Sequence, residues 1–322
     1  MAEGAKAARA ERRIARAIEA LPAGRYLLAV SGGRDSMALL DAFTRFRVDA
    51  SALATFDHAT GAVARRAVLL AAREGEARGL RVLRARRAPG EPATEAAWRD
   101  ARWAFLRACA RSTGSTIVTA HTRDDQLETV VMRVMRDAHH TSARGMAGMY
   151  ARNRRDPVVR PLLHVTRADL ASYAASRCLR FVEDPTNADR AYLRNRVRLD
   201  LLPALEYASR GFGATMLRLA RDAAAWRSAL DEIVEGLGAT LLPDGAVVIA
   251  ADTLRCFDSA ALAVLWPALA ERAGIVLDRR GTHRLIAFTK RGKPARRIPL
   301  SGGAQVERTS RTFVMRACIA NE

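Results

Sequence analysis

Two clusters in this 322-residue sequence have the residue types and spacing that chemistry on phosphate requires. The first is Ser31-Gly32-Gly33-Arg34-Asp35-Ser36, set between an apolar run at 26–30 and a stretch where Met37, Leu40 and Phe43 recur at helical spacing. A strand, a glycine turn and a helix start aim unpaired backbone N–H groups and a positive dipole end at an anion. Gly32 and Gly33 can take φ > 0 and carry no Cβ to block a close ligand. No Gly-Lys-[Ser/Thr] follows, so this is not the common nucleotide loop. The second cluster is His121-Thr122-Arg123-Asp124-Asp125-Gln126-Leu127-Glu128-Thr129. Asp124 or Asp125 would cap a helix over 126–135, and Asp125 and Glu128 would share one face of it. Asp35 and Asp125 offer the hard oxygen ligands that Mg²⁺ takes beside a triphosphate.

These clusters need elements to carry them. Short apolar runs at 26–30, 48–56, 80–85 and 115–120 read as strands, and 61–79, 94–109 and 126–135 read as helices. That alternation predicts an α/β fold with a parallel sheet and right-handed crossovers. Sites in such sheets lie at the carboxyl ends of the strands, where Ser31, Asp57 and His121 all fall. A basic helix at 5–20 precedes the first strand. Helices at 167–178, 192–205, 213–238 and 258–273, a strand at 247–250 and a β-rich tail at 296–316 complete the chain. The domain boundary is expected near 208, giving a catalytic domain at 1–208 and a smaller helical or α+β domain at 209–322. Ser301-Gly302-Gly303 repeats the first letters of the glycine loop, but it lies between two strand-like runs and reads as a hairpin turn.

Charge is the loudest compositional signal. The chain carries 53 Lys+Arg against 34 Asp+Glu, a net charge of +19. Only Lys6, Lys290 and Lys293 are lysines, so the excess is arginine, whose planar fork suits phosphate and stacks on bases. Nucleic acid is the expected partner, with Lys290, Arg291, Lys293, Arg296 and Arg297 as a basic cluster in the second domain. Cys109, Cys178, Cys256 and Cys318 are far apart and form no Cys-x-x-Cys pair, which suits a reducing cytoplasm. No apolar signal segment or transmembrane run is present in the sequence, so a cytoplasmic protein without membrane contact is expected. The sequence sets no oligomeric state, and a homodimer stays open.

The hexapeptide at 31–36 resembles the PP-loop of the ATP pyrophosphatase superfamily. With Asp57-His58, Glu95-x3-Arg99-x2-Arg102-Trp103, the 121–129 cluster and Arg160-Pro161-Leu162-Leu163, it resembles the tRNA(Ile)-lysidine synthase family in its short form. The run from Glu183-Asp184-Pro185-Thr186-Asn187 to Tyr192-x-Arg194-Asn195-x-Val197-Arg198 narrows the resemblance to that family. It implies an adenine nucleotide α hydrolase-like PP-loop domain followed by a tRNA-binding domain. It also implies ATP and Mg²⁺ as cofactors, and tRNA(Ile) and free L-lysine as substrates. The wobble cytidine would be adenylated on O2 and then attacked at C2 by the lysine amine. Ser31, Gly32, Gly33, Arg34, Asp35 and Ser36 would bind ATP, with Asp35 and Asp125 at Mg²⁺. His121 and Asp125 would stand near the α-phosphate, Arg102 would stabilise charge in transfer, and Glu128 would hold the lysine amine. Arg194, Asn195 and Arg198 would contact tRNA or dock the domain junction. Two departures from the family pattern are Arg136-Asp137-Ala138-His139-His140 after the acidic helix and Ala59-Thr60-Gly61 after Asp-His. A cytidine-thiolating PP-loop enzyme and a non-catalytic RNA-binding protein with a relict loop remain as alternatives.

Overall fold

Four residues, Tyr26–Ala29 (β1), are buried along their whole length and form the centre of the first sheet. The computed structural model describes residues 2–47, 49–88, 94–135, 146–151 and 158–317. The His139-His140 departure lies outside them. Helix α1 (Ala2–Glu19) precedes β1. Then come α2 (Arg34–Phe46), β2 (Ala50–Asp57), α3 (Ala62–Glu76), β3 (Arg81–Arg86) and α4 (Glu95–Thr113). They are followed by β4 (Thr116–Val118), α5 (Arg123–Met135) and β5 (Val158–Val159). All these strands pair in parallel, in the order β3-β2-β1-β4-β5. The order runs outward from β1 in both directions, so the connections diverge and leave a crevice at the carboxyl ends of β1 and β4.

Burial on both faces explains why these strands read as continuous apolar runs. Leu28, Val30 and Leu53 pack with Ile14 and Ile18 of α1 and with Met37, Leu40 and Phe43 of α2. Leu27, Ala29, Ala52 and Ala54 pack on the other face with Leu106 and Ala110 of α4. Helix α6 (Arg167–Ser176) adds Leu170 and Tyr173 to the first face. The Tyr173 hydroxyl donates to the buried Asp41 carboxylate of α2 at 2.7 Å, and Arg177 Nε donates to it at 3.3 Å. This fixes α2, and with it the glycine loop at its start, against α6.

Beyond α6, the expected helix at 192–205 is interrupted. Helix α7 (Leu193–Arg196) passes through a π-helical turn, Val197–Leu201, into α8 (Leu202–Ala208). Such wide turns recur at functional sites.

The described residues group into two compact units, one from 1–128 and 152–208, the other from 129–151 and 209–322. The second unit contains α9 (Phe212–Gly236), β6 (Thr240–Leu241), β7 (Val247–Ala250), α10 (Ala251–Arg255) and α11 (Ser259–Arg272). It ends with α12 (Arg279–Arg291), β8 (Arg296–Pro299), β9 (Gln305–Arg308) and β10 (Thr312–Arg316). Its sheet is antiparallel, in the order β6-β7-β10-β9-β8. The core centres on Trp266, whose ring meets Phe313 edge-on at 5.4 Å and whose N–H donates to Thr289 at 2.8 Å. The sequence shows no clear helical period over α12, because Gly281 and a dense arginine run mask it. The buried residues Gly281, Thr282, Leu285, Phe288 and Thr289 nevertheless follow one helical face. Ser301–Gly303 is a short 3₁₀ turn joining the antiparallel pair β8 and β9, in line with the expected hairpin. Among the described residues no helix is long and apolar enough to cross a membrane.

The two loop glycines are held differently. Gly32 has φ +85°, and a Cβ added there would lie 2.2 Å from the Ala67 carbonyl oxygen of α3. Gly33 has φ −78°, with the Ser31 hydroxyl as the nearest atom to an added Cβ, at 3.7 Å. Gly32→Ala is therefore expected to cost about 2–4 kcal/mol of stability, and Gly33→Ala less than about 1 kcal/mol. Urea unfolding of both variants checks this, and equal losses would contradict the close contact with α3.

Candidate active site at the carboxyl ends of the parallel strands

Helix α2 begins at Arg34 with Gly33 as its N-cap, and no side chain caps it. Its first-turn N–H groups are thus left for a ligand at the positive end of the dipole. Ser36 holds the loop from inside. Its hydroxyl donates to the Gly33 carbonyl at 2.8 Å, accepts from the Ser31 N–H at 3.2 Å and lies 3.1 Å from the Ser31 hydroxyl. The Val182 N–H donates to the Gly32 carbonyl at 2.9 Å, tying the following loop to the glycine turn.

Two cavities flank this loop and share Ser31, Gly33, Val182 and Asp184 in their walls. One, of about 220 Å³, has an apolar lining that includes Ala29, Ala54, Phe56 and Leu106, with His58 and Arg102 at its polar side. The Nδ1 of His58 is buried there without a hydrogen-bond partner among the described residues. Arg102 has no ion-pair partner among the described residues, and burial followed by the charge of Arg99 lowers its pKa. The other cavity, of about 720 Å³, is lined by Arg34, Asp35, Ser36, Asp125, Arg167 and Arg198.

Strand β4 delivers the second cluster. The His121 Nδ1 lies 2.7 Å from the Thr119 hydroxyl. Burial, reinforced by Arg160, Arg102 and Arg194, pushes the pKa of His121 down to about 3 against the opposing pull of Asp125. The cap of α5 differs from expectation. Thr122, not Asp124 or Asp125, stands at the helix start, and its hydroxyl accepts from the Asp125 N–H at 3.2 Å. Asp125 returns one oxygen to the Thr122 N–H and hydroxyl, each at 2.8 Å, a reciprocal capping box. Asp124 instead accepts from the Arg167 N–H at 2.7 Å, at the start of α6.

Arg167 is the residue that sequence reasoning missed. Its guanidinium lies 2.9 Å from Asp125, 3.1 Å from Glu128 and 3.8 Å from Asp35. The second Glu128 oxygen is bound by Arg194 at 3.0 Å. Glu128 is 1% exposed, so both its oxygens are held by guanidinium groups inside the protein. Burial raises the pKa of Glu128 against the pull of Arg167 and Arg194, and that of Asp35 against the pull of Arg34 and Arg167. In Asp125, Arg167 and the Thr122 donors outweigh burial and lower it. No spacing signal marks Arg167, because in so arginine-rich a chain one more arginine carries no information.

The tail of the site also departs from a simple contact surface. The Asn195 amide donates to the carbonyls of Thr186 and Asp189, at 2.8 Å each, and its oxygen accepts from Arg198 at 3.1 Å. Asn195 thus ties the 183–189 loop and steadies Arg198, which reaches the larger cavity.

The donors fit Mg²⁺. Asp35 and Asp125 face one cavity and are close enough to repel, and Mg²⁺ is commonly held by one or two carboxylates plus substrate phosphates. Among the described residues no group of three or more His, Cys, Asp or Glu could hold a metal by itself.

A family model described as the PP-loop domain matches residues 6–205. A tRNA(Ile)-lysidine synthase from Burkholderia mallei is 38% identical over 213 residues, covering 64% of this chain and 43% of that protein. One from Bradyrhizobium diazoefficiens is 37% identical over 253 residues, covering 74% of this chain and 68% of that protein. The chain thus matches less than half the length of the Burkholderia relative. Among solved structures, the U34-tRNA thiolase NcsA from Methanococcus maripaludis, with its 4Fe-4S cluster, is similar at a TM-score of 0.56 and 12% identity. It covers 69% of this chain and 80% of that one, a likeness of fold alone.

The depressed His121 pKa has a consequence for stability. The unfolded imidazole takes a proton near pH 6.5, whereas the folded one stays neutral down to about pH 3. Its contribution is complete above the unfolded pKa and is lost as the pH falls from 6.5 toward 3. The wild-type urea midpoint is therefore expected to fall more steeply between pH 6.5 and 4 than that of His121→Gln. Parallel curves would mean that His121 is not held neutral.

Proposed function

The chain belongs to the tRNA(Ile)-lysidine synthase family of PP-loop proteins, and from that premise we propose that it ligates lysine to a tRNA wobble cytidine at the expense of ATP. The observation that carries the reading is the uncapped start of α2 opening on the cavity that Asp35, Asp125 and Arg198 also line. The substrate is the cytidine at position 34 of the CAU anticodon of tRNA(Ile).

The cavity beside Ala29, Ala54 and Leu106 suits a purine ring, with His58 Nδ1, unpartnered among the described residues, at its edge for a ring nitrogen or amine. The phosphates then extend past Ser31 and Gly33 to the first-turn N–H groups of α2. Asp35 and Asp125 would hold Mg²⁺ there, and when bound it neutralises charge on the phosphates. The cytidine O2 attacks the α-phosphorus, the new P–O bond forms, and pyrophosphate leaves toward the glycine loop. Arg102, a cation without an ion-pair partner among the described residues, is suited to the charge that develops on the α-phosphate. His121 stays neutral at physiological pH, so it serves as a hydrogen-bond donor rather than a cation. In the tautomer whose Nδ1 accepts from the Thr119 hydroxyl 2.7 Å away, Nε2 would carry the proton for that purpose.

Adenylation converts O2 into part of a good leaving group. The lysine amine, deprotonated, then attacks C2, the C2–O bond breaks and AMP departs. A carboxylate of the acidic group takes the amine proton.

The second unit supports an RNA partner. The α12 face and the segment after it expose Arg279, Arg280, Arg284, Arg291, Lys293 and Arg296. Lys290 donates to the Arg255 carbonyl at 3.3 Å and also to that of Phe257, and Arg297 pairs with Glu307, so those two are less available. We assign this face to the tRNA backbone.

Asp35→Asn is expected to leave the fold unchanged by circular dichroism and to reduce formation of adenylated tRNA by about 100-fold or more. Mass analysis of tRNA(Ile) after incubation with ATP, Mg²⁺ and labelled lysine reads both the adenylate and the product. An intact tRNA mass with wild-type protein would overturn the reading. The triple change Arg280→Ala, Arg284→Ala, Arg291→Ala is expected to reduce the slope of log affinity against log salt by about 2–3. An unchanged slope would make this face a solvated surface.

A further inference from the structure

We propose that Arg167 is a built-in stand-in cation that keeps divalent metal and lysine out of the carboxylate pocket until a polyphosphate draws it away. The inference rests on the proposed reading for the identity of the ligands, and on the geometry for Arg167 itself.

Asp35, Asp125 and Glu128 come from two different helices and converge on one end of the sheet. Arg167 reaches all three, at 3.8, 2.9 and 3.1 Å. Arg34 pairs with Asp35 at 3.3 Å and Arg194 with Glu128 at 3.0 Å, so each of the three carboxylates is paired with a guanidinium without any ligand. A divalent ion entering this paired group would face Arg167 directly, at a distance where partly buried like charges repel strongly. The lysine amine meets the same obstacle, because both Glu128 oxygens are already bound. Yet Arg167 is not walled in. Its side chain is 20% exposed and lines the larger cavity together with Ser31, Gly33 and Arg34 of the phosphate loop. A polyphosphate in that loop offers the guanidinium a competing partner of higher charge, in the bidentate geometry that arginine favours.

The backbone of Arg167 stays where it is. Its N–H donates to Asp124, and Thr166 and Asp169 cap α6 reciprocally around it. The side chain can therefore exchange partners without any movement of the helix. Nucleotide first, metal with it and lysine afterwards is the order this arrangement imposes.

The test uses Mn²⁺ as a spin-active probe of the full-length, nucleotide-free protein. Arg167→Met removes the competing cation and is expected to bind Mn²⁺ about tenfold tighter than wild type or more. Equal affinity would overturn the proposal. Because the variant leaves three carboxylates unbalanced and can fold poorly, Arg167→Lys is measured beside it by thermal melting. Its single ammonium cannot span three carboxylates, so Mn²⁺ should raise its Tm more than that of wild type, and an equal shift would again overturn the proposal. ATP binding to wild type is measured separately by equilibrium dialysis. Its absence would remove the functional reading, while the Mn²⁺ comparison would still decide the role of Arg167.

Discussion

Three carboxylates cannot be gathered at one end of a sheet, one buried and two partly so, unless cations come with them. Glu128 is almost wholly enclosed, and an unpaired carboxylate in that position would neutralise or unfold its surroundings. The structure meets this demand with arginines from elements far along the chain, Arg167 at the start of α6 and Arg194 in α7. The requirement then propagates outward. Helix α6 must dock beside the sheet, which the buried Tyr173–Asp41 contact and the Arg13–Asp169 ion pair accomplish. The 183–189 loop must fold back over the glycine turn, which Asn195 and the Val182 N–H arrange.

The glycine loop and the acidic cluster face each other because of strand order. Strand β1 pairs with β2 on one side and β4 on the other, so the chain leaves adjacent strand ends in diverging directions. The loop after β1 and the His121 segment after β4 are thereby neighbours, although about ninety residues separate them in sequence. The same divergence opens two cavities of contrasting character. One is small and lined largely by alanine, valine, phenylalanine and leucine side chains, the other larger and ringed by charged residues, and they meet at Ser31 and Gly33.

Thr122 and Asp125 illustrate how one residue answers two needs. The capping box takes one Asp125 oxygen for the helix start and leaves the other turned to Arg167. A carboxylate anchored in this way cannot rotate freely, so its outward oxygen is held ready at low entropic cost. Ser36 does the same for the glycine loop, bonding three of its atoms from within, while among the described residues no side chain caps the start of α2.

Local patterns in the sequence were enough to determine the parallel α/β sheet, the phosphate-binding turn and the acidic cluster at a strand end. Strand burial, glycine conformation and helix starts depend on residues a few positions apart, and such patterns survive in one dimension. Tertiary structure alone decided that Arg167 would fill the acidic pocket, because its partners Asp125 and Glu128 lie 42 and 39 residues away. The same holds for Asn195, for which the family resemblance implied a tRNA contact or a docking role, while its amide bonds two carbonyls of a loop brought beside it by folding. Helix α12 was hidden for a different reason, since its apolar face mixes glycine and threonine with leucine and phenylalanine. A guanidinium can pair with any carboxylate it reaches, so sequence fixes that it will pair, and only the fold decides with which.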